Sequence, residues 1–257
     1  MNHLGAALVL LSSVFGLPSN ATSTEALTST VLDSGRLIVF SRGEPVATED
    51  FQFETRHDST FVTSRVDRHT RAADGSINPY VKSMELIVHT SDEAVLAYLS
   101  TEKFDGHEIN RMVSPTDTAV TVSIEKDGYG TADKLERLPG RIYVMDAGMF
   151  TLFDVIARNL HGRIFGPRPI ALVALGTVNA ALNATAAPAG RDTLRWGAKK
   201  VIADRITITD STSVFVLYTS PAGNLLRLEN AATDLVVMRQ PPAVPAAARR
   251  RRPPLPR

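Results

Sequence analysis

The fold is decided by residues 146–162, which read DAGMFTLFDVIARNLHG. Apolar side chains recur there at three- and four-residue steps, which places them on one stripe of an α-helix. That stripe consists of Met149, Leu152, Phe153, Ile156, Ala157 and Leu160, and the other side carries Thr151, Asp154, Arg158 and Asn159. Asp146 can serve as the N-cap, Gly162 suits the left-handed position after the last turn, and Pro167 prevents continuation. The spacing therefore predicts one amphipathic helix.

Most of the remaining sequence has the alternation of β-strands. Roughly a dozen strands follow one another at spacings of about ten to fifteen residues, which is typical of hairpins and an antiparallel sheet. Some strands are apolar on both faces, as in residues 94–99 (AVLAYL). Such a sheet must curl or be covered, so we predict a mainly β fold with one principal α-helix. The strongly curved antiparallel sheet, a half-barrel or open barrel, would wrap around that helix.

One hairpin can be predicted with its register. Asp105-Gly106 is a favoured pair for a two-residue type I′ turn. This turn would place Lys103 opposite Glu108 and Leu99 opposite Met112, and both pairings stabilise an antiparallel register.

Other segments lack a clear strand pattern. Residues 22–34 are rich in Ser and Thr and are predicted to be a flexible lead-in. Residues 127–140 are predicted to be a polar excursion, and residues 178–190 a loop or short helix. The single β-rich domain would then span residues 35–239.

The N-terminus has the pattern of a secretory signal. Leu4 to Leu17 is apolar, and Ser19 and Ala21 are small residues placed three and one before a cut after Ala21. The first three residues contain no Lys or Arg, so an apolar N-terminal strand or a mistaken start codon are the alternatives. We expect a signal peptide at residues 1–21 and a periplasmic or secreted location. No later apolar run reaches 18 residues, so no transmembrane helix is predicted.

Charge and cysteine content exclude several classes. The absence of cysteine excludes disulfides, thiol nucleophiles and thiolate metal sites. Without residues 1–21 and 240–257 the chain has 23 basic and 27 acidic residues, which does not support nucleic-acid binding. Residues 240–257 form a Pro/Arg-rich tail that is predicted to be disordered. Its run Arg249, Arg250, Arg251 and Arg252 could contact an anionic surface, or the tail could be solvated and have no partner.

No catalytic, metal-binding or cofactor-binding motif is present among the common signatures. We therefore predict no catalytic residue, no metal and no cofactor. Alternation places Arg65, Asp67, His69 and Arg71 on one strand face. This row is either an acid–base or metal half-site or, more commonly, a charged face in water.

Large apolar residues are expected near the interior between helix and sheet. They are Phe51, Phe53, Tyr98, Phe150, Phe153, Ile156 and Trp196. They could form a packed core, or they could line an apolar ligand pocket, since ligand sites are mostly apolar and concave.

Two segments carry a resemblance to known proteins. Residues 43–51 read GEPVATEDF, and residues 224–239 read NLLRLENAATDLVVMR. Together with the order of signal, meander, late helix and final strands, they resemble uncharacterised exported bacterial β-rich families. The same order resembles periplasmic half-barrel proteins of the lipoprotein-localisation-factor type. This resemblance implies a concave sheet that holds an acyl chain or another apolar molecule, and it implies no catalytic residues.

Three functions remain open from the sequence. The first is a periplasmic or secreted binding or carrier protein for a lipid or another apolar small molecule. The second is a hydrolase or isomerase that uses Asp, His and Arg groups in the concavity. The third is a structural or adaptor protein of the cell envelope.

Overall fold

The computed structural model of the protein describes residues 29–71 and 77–242, which form one sheet and one α-helix. The first strands are β1 (Ser29–Ser41), β2 (Glu44–Arg56), β3 (Ser59–Arg71), β4 (Ile77–His89), β5 (Val95–Phe104), β6 (His107–Pro115), β7 (Ala119–Lys126), β8 (Tyr129–Glu136) and β9 (Ile142–Asp146). Then follow α1 (Thr151–Leu160), β10 (Arg168–Leu175), β11 (Ala180–Trp196), β12 (Lys199–Thr209), β13 (Val214–Thr219), β14 (Leu225–Asn230), a 3₁₀ turn (Ala231–Thr233) and β15 (Leu235–Arg239).

The sheet has the strand order β8-β7-β6-β5-β4-β3-β2-β1-β15-β14-β13-β12-β11-β10-β9. The pairing of β1 with β15 joins the two halves of the chain in the middle of the sheet. Every pair is antiparallel except β9 and β10, which are parallel because α1 carries the chain back to the same end. The sheet curls without closing, and β8 and β9 are its edges. The predicted fold class is confirmed.

The helix lies inside the concavity and is enclosed on its polar side as well. Its apolar residues belong to the main core, and Thr151, Asp154 and Asn159 are also buried. Gly162 has a φ of 68°, as predicted for the residue that follows the last turn. We call the end of the sheet where β9 ends and α1 begins the proximal end, and the other the distal end.

The prediction of Asp146 as N-cap is wrong. Strand β9 continues through Asp146, and the helix begins after Phe150, whose side chain makes no cap. The carboxylate of Glu49 on β2 takes that role, since it accepts hydrogen bonds from the backbone N–H groups of Phe150 (2.7 Å) and Thr151 (3.0 Å). A helix end inside a protein can be capped by a residue from a distant strand.

The predicted hairpin is confirmed. Lys103 pairs with Glu108 and Leu99 with Met112. Both turn residues have positive φ, 48° at Asp105 and 77° at Gly106. The ammonium of Lys103 lies 2.8 Å from the Glu108 carboxylate.

Three predicted irregular segments contain strands. The polar excursion 127–140 contains β8, the loop 178–190 lies largely within β11, and the lead-in 22–34 overlaps β1, which starts at Ser29. β8 is an edge strand with most of its residues exposed, so backbone pairing with β7 forms it without an apolar pattern. The predicted signal at residues 1–21 and the tail beyond residue 242 lie outside the described residues. Within residues 29–71 and 77–242, no helix has the length and hydropathy needed to cross a membrane.

Candidate functional site

Charged side chains lie on the inner face of the sheet near the proximal end. In β4, Lys82 is in phase with the buried residues Met84 and Leu86. Lys82 pairs directly with Glu102 on β5, and Arg111 lies on the next strand, β6. Because alternate residues of a strand share a face, these charges point into the concavity with the core.

Asp146 connects these strands to β9. Its carboxylate accepts hydrogen bonds from the Lys82 ammonium (2.5 Å), the Tyr98 hydroxyl (2.6 Å) and the Ser100 hydroxyl (3.0 Å). Lys82 also donates to the backbone carbonyl of Ala147 (3.0 Å). β9 is an edge of the sheet, yet four of its five residues are buried. The curl therefore brings the inner face of β4 and β5 over this edge, and these bonds hold it there. We call Lys82, Tyr98, Ser100 and Asp146 the polar clamp.

The clamp continues into a second ion pair. Arg111 donates to the Glu102 carboxylate at 2.7 Å, and the Lys82 ammonium lies 3.8 Å from the same carboxylate. Burial alone would raise the pKa of Glu102, but Arg111 and Lys82 outweigh it and hold that pKa below its ordinary value. Burial, together with the nearby Asp146 carboxylate, raises the pKa of Tyr98 well above its ordinary value. Glu102 is thus an anion and Tyr98 a neutral hydrogen-bond donor.

A cavity of about 530 Å³ opens beside the clamp at the proximal end. Its charged lining residues are Arg68, Lys82, Glu102, Arg111 and Asp146, and its apolar ones are Val39, Val46, Ala47, Val66, Phe150, Leu175 and Leu235. The Arg68 guanidinium lies 4.5 Å from the centre of the Tyr80 ring. The Nε of Arg111 is buried and has no hydrogen-bond partner among the described residues. The cavity thus combines an apolar wall with a surplus of positive charge.

A separate buried cluster fixes the helix. Asp154 on α1 accepts a hydrogen bond from the Leu225 backbone N–H (2.8 Å) and one from Arg158 (3.1 Å). Asp33 accepts hydrogen bonds from Arg158 and from Arg239. Burial raises the pKa of Asp154, whereas for Asp33 the two arginines outweigh burial and lower it. These bonds tie α1 to β1, β14 and β15, which is a structural role.

The predicted pocket residues have several different positions. Phe51 and Phe53 pack edge to face with ring centres 5.9 Å apart, and Phe153 packs on Phe215 at 4.8 Å. Ile156 is fully buried in the same core. The space between helix and sheet is therefore filled at these residues.

The other three predicted residues lie elsewhere. Tyr98 belongs to the polar clamp, and Phe150 lines the cavity. The expectation that Trp196 lies in the interior is wrong, because its indole packs in a separate cluster with Tyr218 and Leu226. Its N–H donates to the backbone carbonyl of Arg239 at 2.9 Å.

Two members of the predicted acid–base row, Arg65 and Asp67, do not line the cavity. Arg65 pairs with Asp67 at 3.0 Å, and their side chains are 57% and 43% exposed. The side chains of His69 and Arg71 lie outside the described residues. Within the described part of the chain, no group of three or more His, Asp or Glu residues could hold a metal ion.

The sequence reasoning missed the charged inner face. The signal was present in β4, where alternation places Lys82 with Met84, Leu86 and Val88, and not with Ser83 and Glu85. The partner, Asp146, lies 64 positions further along the chain. Strand periodicity cannot identify such a partner because it records only which face a residue is on.

Comparison with solved structures places the fold in a known class. A beta-barrel-like protein of domain of unknown function DUF1849 from Brucella abortus has a TM-score of 0.52 and 7% identity, covering 80% of this chain and 95% of that chain. This fold is barrel-like. A DUF1089 family protein from Pseudomonas aeruginosa has a TM-score of 0.44 and 11% identity, covering 75% of this chain and 92% of that chain. No protein-family model and no curated protein matches the sequence. Neither structural neighbour is described as a lipoprotein-localisation factor, so that resemblance stays a prediction.

Proposed function

We propose that the protein is an exported binding or carrier protein that holds a small amphiphilic molecule, such as a fatty acid, in the proximal cavity. The observation that carries this proposal is the cavity of about 530 Å³, with an apolar wall and charged residues on one side. This volume lies within the range of about 300–1,000 Å³ typical of small-molecule sites. The proposed binding position differs from the one expected from the sequence, because Phe51, Phe53, Phe153 and Ile156 pack against other residues in the core.

The charges favour an anionic head group. The cavity lining carries three positive charges, on Arg68, Lys82 and Arg111, and two negative charges, on Glu102 and Asp146. Lys82 and Arg111 are largely neutralised by their pairs, whereas no ion pair of Arg68 occurs among the described residues. A carboxylate in the cavity would balance the remaining charge and could accept a hydrogen bond from the guanidinium of Arg68, which lines the cavity.

The apolar wall favours a hydrocarbon chain beside that head group. Val66, Phe150 and Leu175 come from three separated parts of the chain and meet at the cavity. Burial of an apolar group against such a surface contributes about 25 cal/mol of favourable free energy for each Å² of apolar area removed from water. One acyl chain with a carboxylate satisfies both sides of the cavity.

Ligand binding can be tested directly. Lipid extraction and mass spectrometry of protein from the cells that make it should identify a co-purifying amphiphile. In a displacement assay with a fluorescent fatty acid, Ala47→Phe should abolish binding because the ring would fill part of the cavity. Ala132→Phe on the exposed edge strand β8 adds the same ring elsewhere and should leave binding unchanged.

The head-group preference has its own test. Arg68→Gln should weaken binding of a fatty acid about tenfold, the loss of one charge-assisted hydrogen bond, and leave the corresponding fatty alcohol unaffected. A protein that carries no lipid and binds neither probe would contradict the proposed function.

Export is tested separately. The mature protein should begin at Thr22 when its N-terminus is determined by mass spectrometry.

A further inference from the structure

The distal end carries an arginine cluster that takes no part in the cavity. There α1 ends, and residues 161–167 lead into β10. Arg163 belongs to this segment, Arg168 is the first residue of β10, and Arg141 precedes β9 at the same end. A hollow of about 370 Å³ lies between them, and all three arginines line it together with Tyr143 and Asn159.

Among the described residues, Glu93 is the acidic residue that forms ion pairs with this cluster. Its carboxylate lies 2.7 Å from the Arg141 guanidinium and 2.6 Å from that of Arg163. No acid among the described residues pairs with Arg168. The cluster therefore has a surplus of about two positive charges, which exceeds the roughly half negative charge of the nearby helix C-terminus. An anion is the ligand that this balance favours.

A large apolar ring projects beside the arginines. Phe165, between Arg163 and Arg168 in sequence, is 92% exposed, more than any other large apolar residue in the described part of the chain. Ile164 next to it packs against the core, so the segment is anchored while Phe165 points into water. An exposed aromatic ring flanked by arginines is typical of segments that lie in the interface of an anionic membrane.

We propose that the distal end docks on an anionic phospholipid surface, with a lipid phosphate in the arginine hollow and Phe165 in the interfacial region. Charge complementarity supports the phosphate, since arginine forms bidentate hydrogen bonds with it. The exposed ring of Phe165 favours a membrane over a small soluble anion as the ligand, because a soluble anion would leave the ring in water. This inference is independent of the proximal cavity, whose opening lies at the other end of the sheet.

The test is co-sedimentation of the full chain with vesicles of phosphatidylglycerol or phosphatidylcholine at low salt. We expect binding to phosphatidylglycerol vesicles that weakens with added salt, and little binding to phosphatidylcholine. Phe165→Ala should weaken the binding about tenfold, as expected for the loss of a buried ring. Arg163→Ala/Arg168→Ala should weaken it about fivefold for each arginine removed.

Matched variants separate this surface from general charge and hydrophobicity. Tyr129→Ala removes another ring, which is 83% exposed at the proximal end. Arg65→Ala/Arg191→Ala removes the same net charge from exposed pairs elsewhere. All variants keep Arg249–Arg252, so a contribution of the tail is common to them. Both controls should bind like the unchanged protein.

Three results would overturn the proposal. The first is absence of binding to phosphatidylglycerol vesicles, and the second is equal weakening by the control variants. The third is binding of inorganic phosphate, detected by calorimetry and lost in Arg163→Ala/Arg168→Ala, without vesicle binding, which would indicate a free-anion site.

Discussion

The polar clamp makes the stability of this sheet depend on one buried ion pair. The side chains of Lys82 and Asp146 are each 2% exposed and 2.5 Å apart. In Asp146→Asn, Lys82 would keep the Ala147 carbonyl and the Glu102 carboxylate, which lies 3.8 Å away and already pairs with Arg111. Removal of one partner of a buried pair typically costs about 3–5 kcal/mol, because the other charge stays buried without compensation.

We therefore expect Asp146→Asn to lower the free energy of unfolding by about 3–5 kcal/mol. In a domain of this size the midpoint of thermal unfolding should fall by roughly 10 °C. The measurement is urea denaturation followed by circular dichroism, with the slope compared between variants to detect a loosened native state.

A double-mutant cycle isolates the pair. Lys82→Met/Asp146→Asn leaves no unpaired charge, and the new amide oxygen can still accept from Tyr98 or Ser100. The decrease in the free energy of unfolding of the double variant should be at least about 2 kcal/mol smaller than the sum of the decreases of the two single variants. Asp67→Asn breaks the exposed pair with Arg65 and should change stability by about 0–1 kcal/mol. A cost of Asp146→Asn no larger than that of Asp67→Asn would refute the reasoning.

Three further predictions concern the helix cap, the helix core and the β5–β6 hairpin. Burial raises the pKa of Glu49 above its ordinary value of 4.5, so ionisation of this carboxyl is less favourable in the folded protein than in the unfolded one. The free energy of unfolding, relative to that of Glu49→Gln, should therefore fall as pH rises from about 4.5. Urea denaturation of both proteins at several pH values checks this, and a difference between them that does not change with pH would count against a buried Glu49. Ile156→Ala should cost about 2–5 kcal/mol in urea denaturation, since the side chain is fully buried on α1, and a cost below about 1 kcal/mol would place it outside the core. Gly106→Ala should lower the free energy of unfolding by about 1–2 kcal/mol, because a φ of 77° is unfavourable for alanine. Gly130→Ala should cost less, because Gly130 has no positive φ and, as at Gly106, no atom lies close enough to clash with the new methyl group. Equal costs of the two substitutions would argue against the type I′ turn.

Local patterns were sufficient for the parts of the fold that depend on neighbouring residues. The apolar stripe on α1 and the Asp105-Gly106 hairpin with its register are of this kind, because turn and periodicity are properties of one segment or one pair of strands. The same reasoning did not find β8 or β11. Their exposed residues do not alternate clearly, and they form strands because the backbone of a neighbour is available for pairing.

The candidate site was only partly within reach of the sequence. Phe150 was expected at a ligand site and lines the cavity, whereas Arg68, Lys82, Glu102 and Arg111 were not anticipated. A charged residue in phase with an apolar strand face is a usable signal, and Lys82 is an example. Its value depends on a partner that the sequence does not identify.

The sequence by itself determined a β-rich chain with one amphipathic helix and at least one hairpin of defined register. Only the tertiary structure decided that Glu49 caps the helix, that Asp146 holds a sheet edge, and that the cavity lies beside the clamp and not beneath α1. The physical reason is the curl of the sheet, which sums small twists over many strands and brings together residues far apart in the chain. Local periodicity fixes the face on which each residue lies, and the accumulated curvature selects what that face meets.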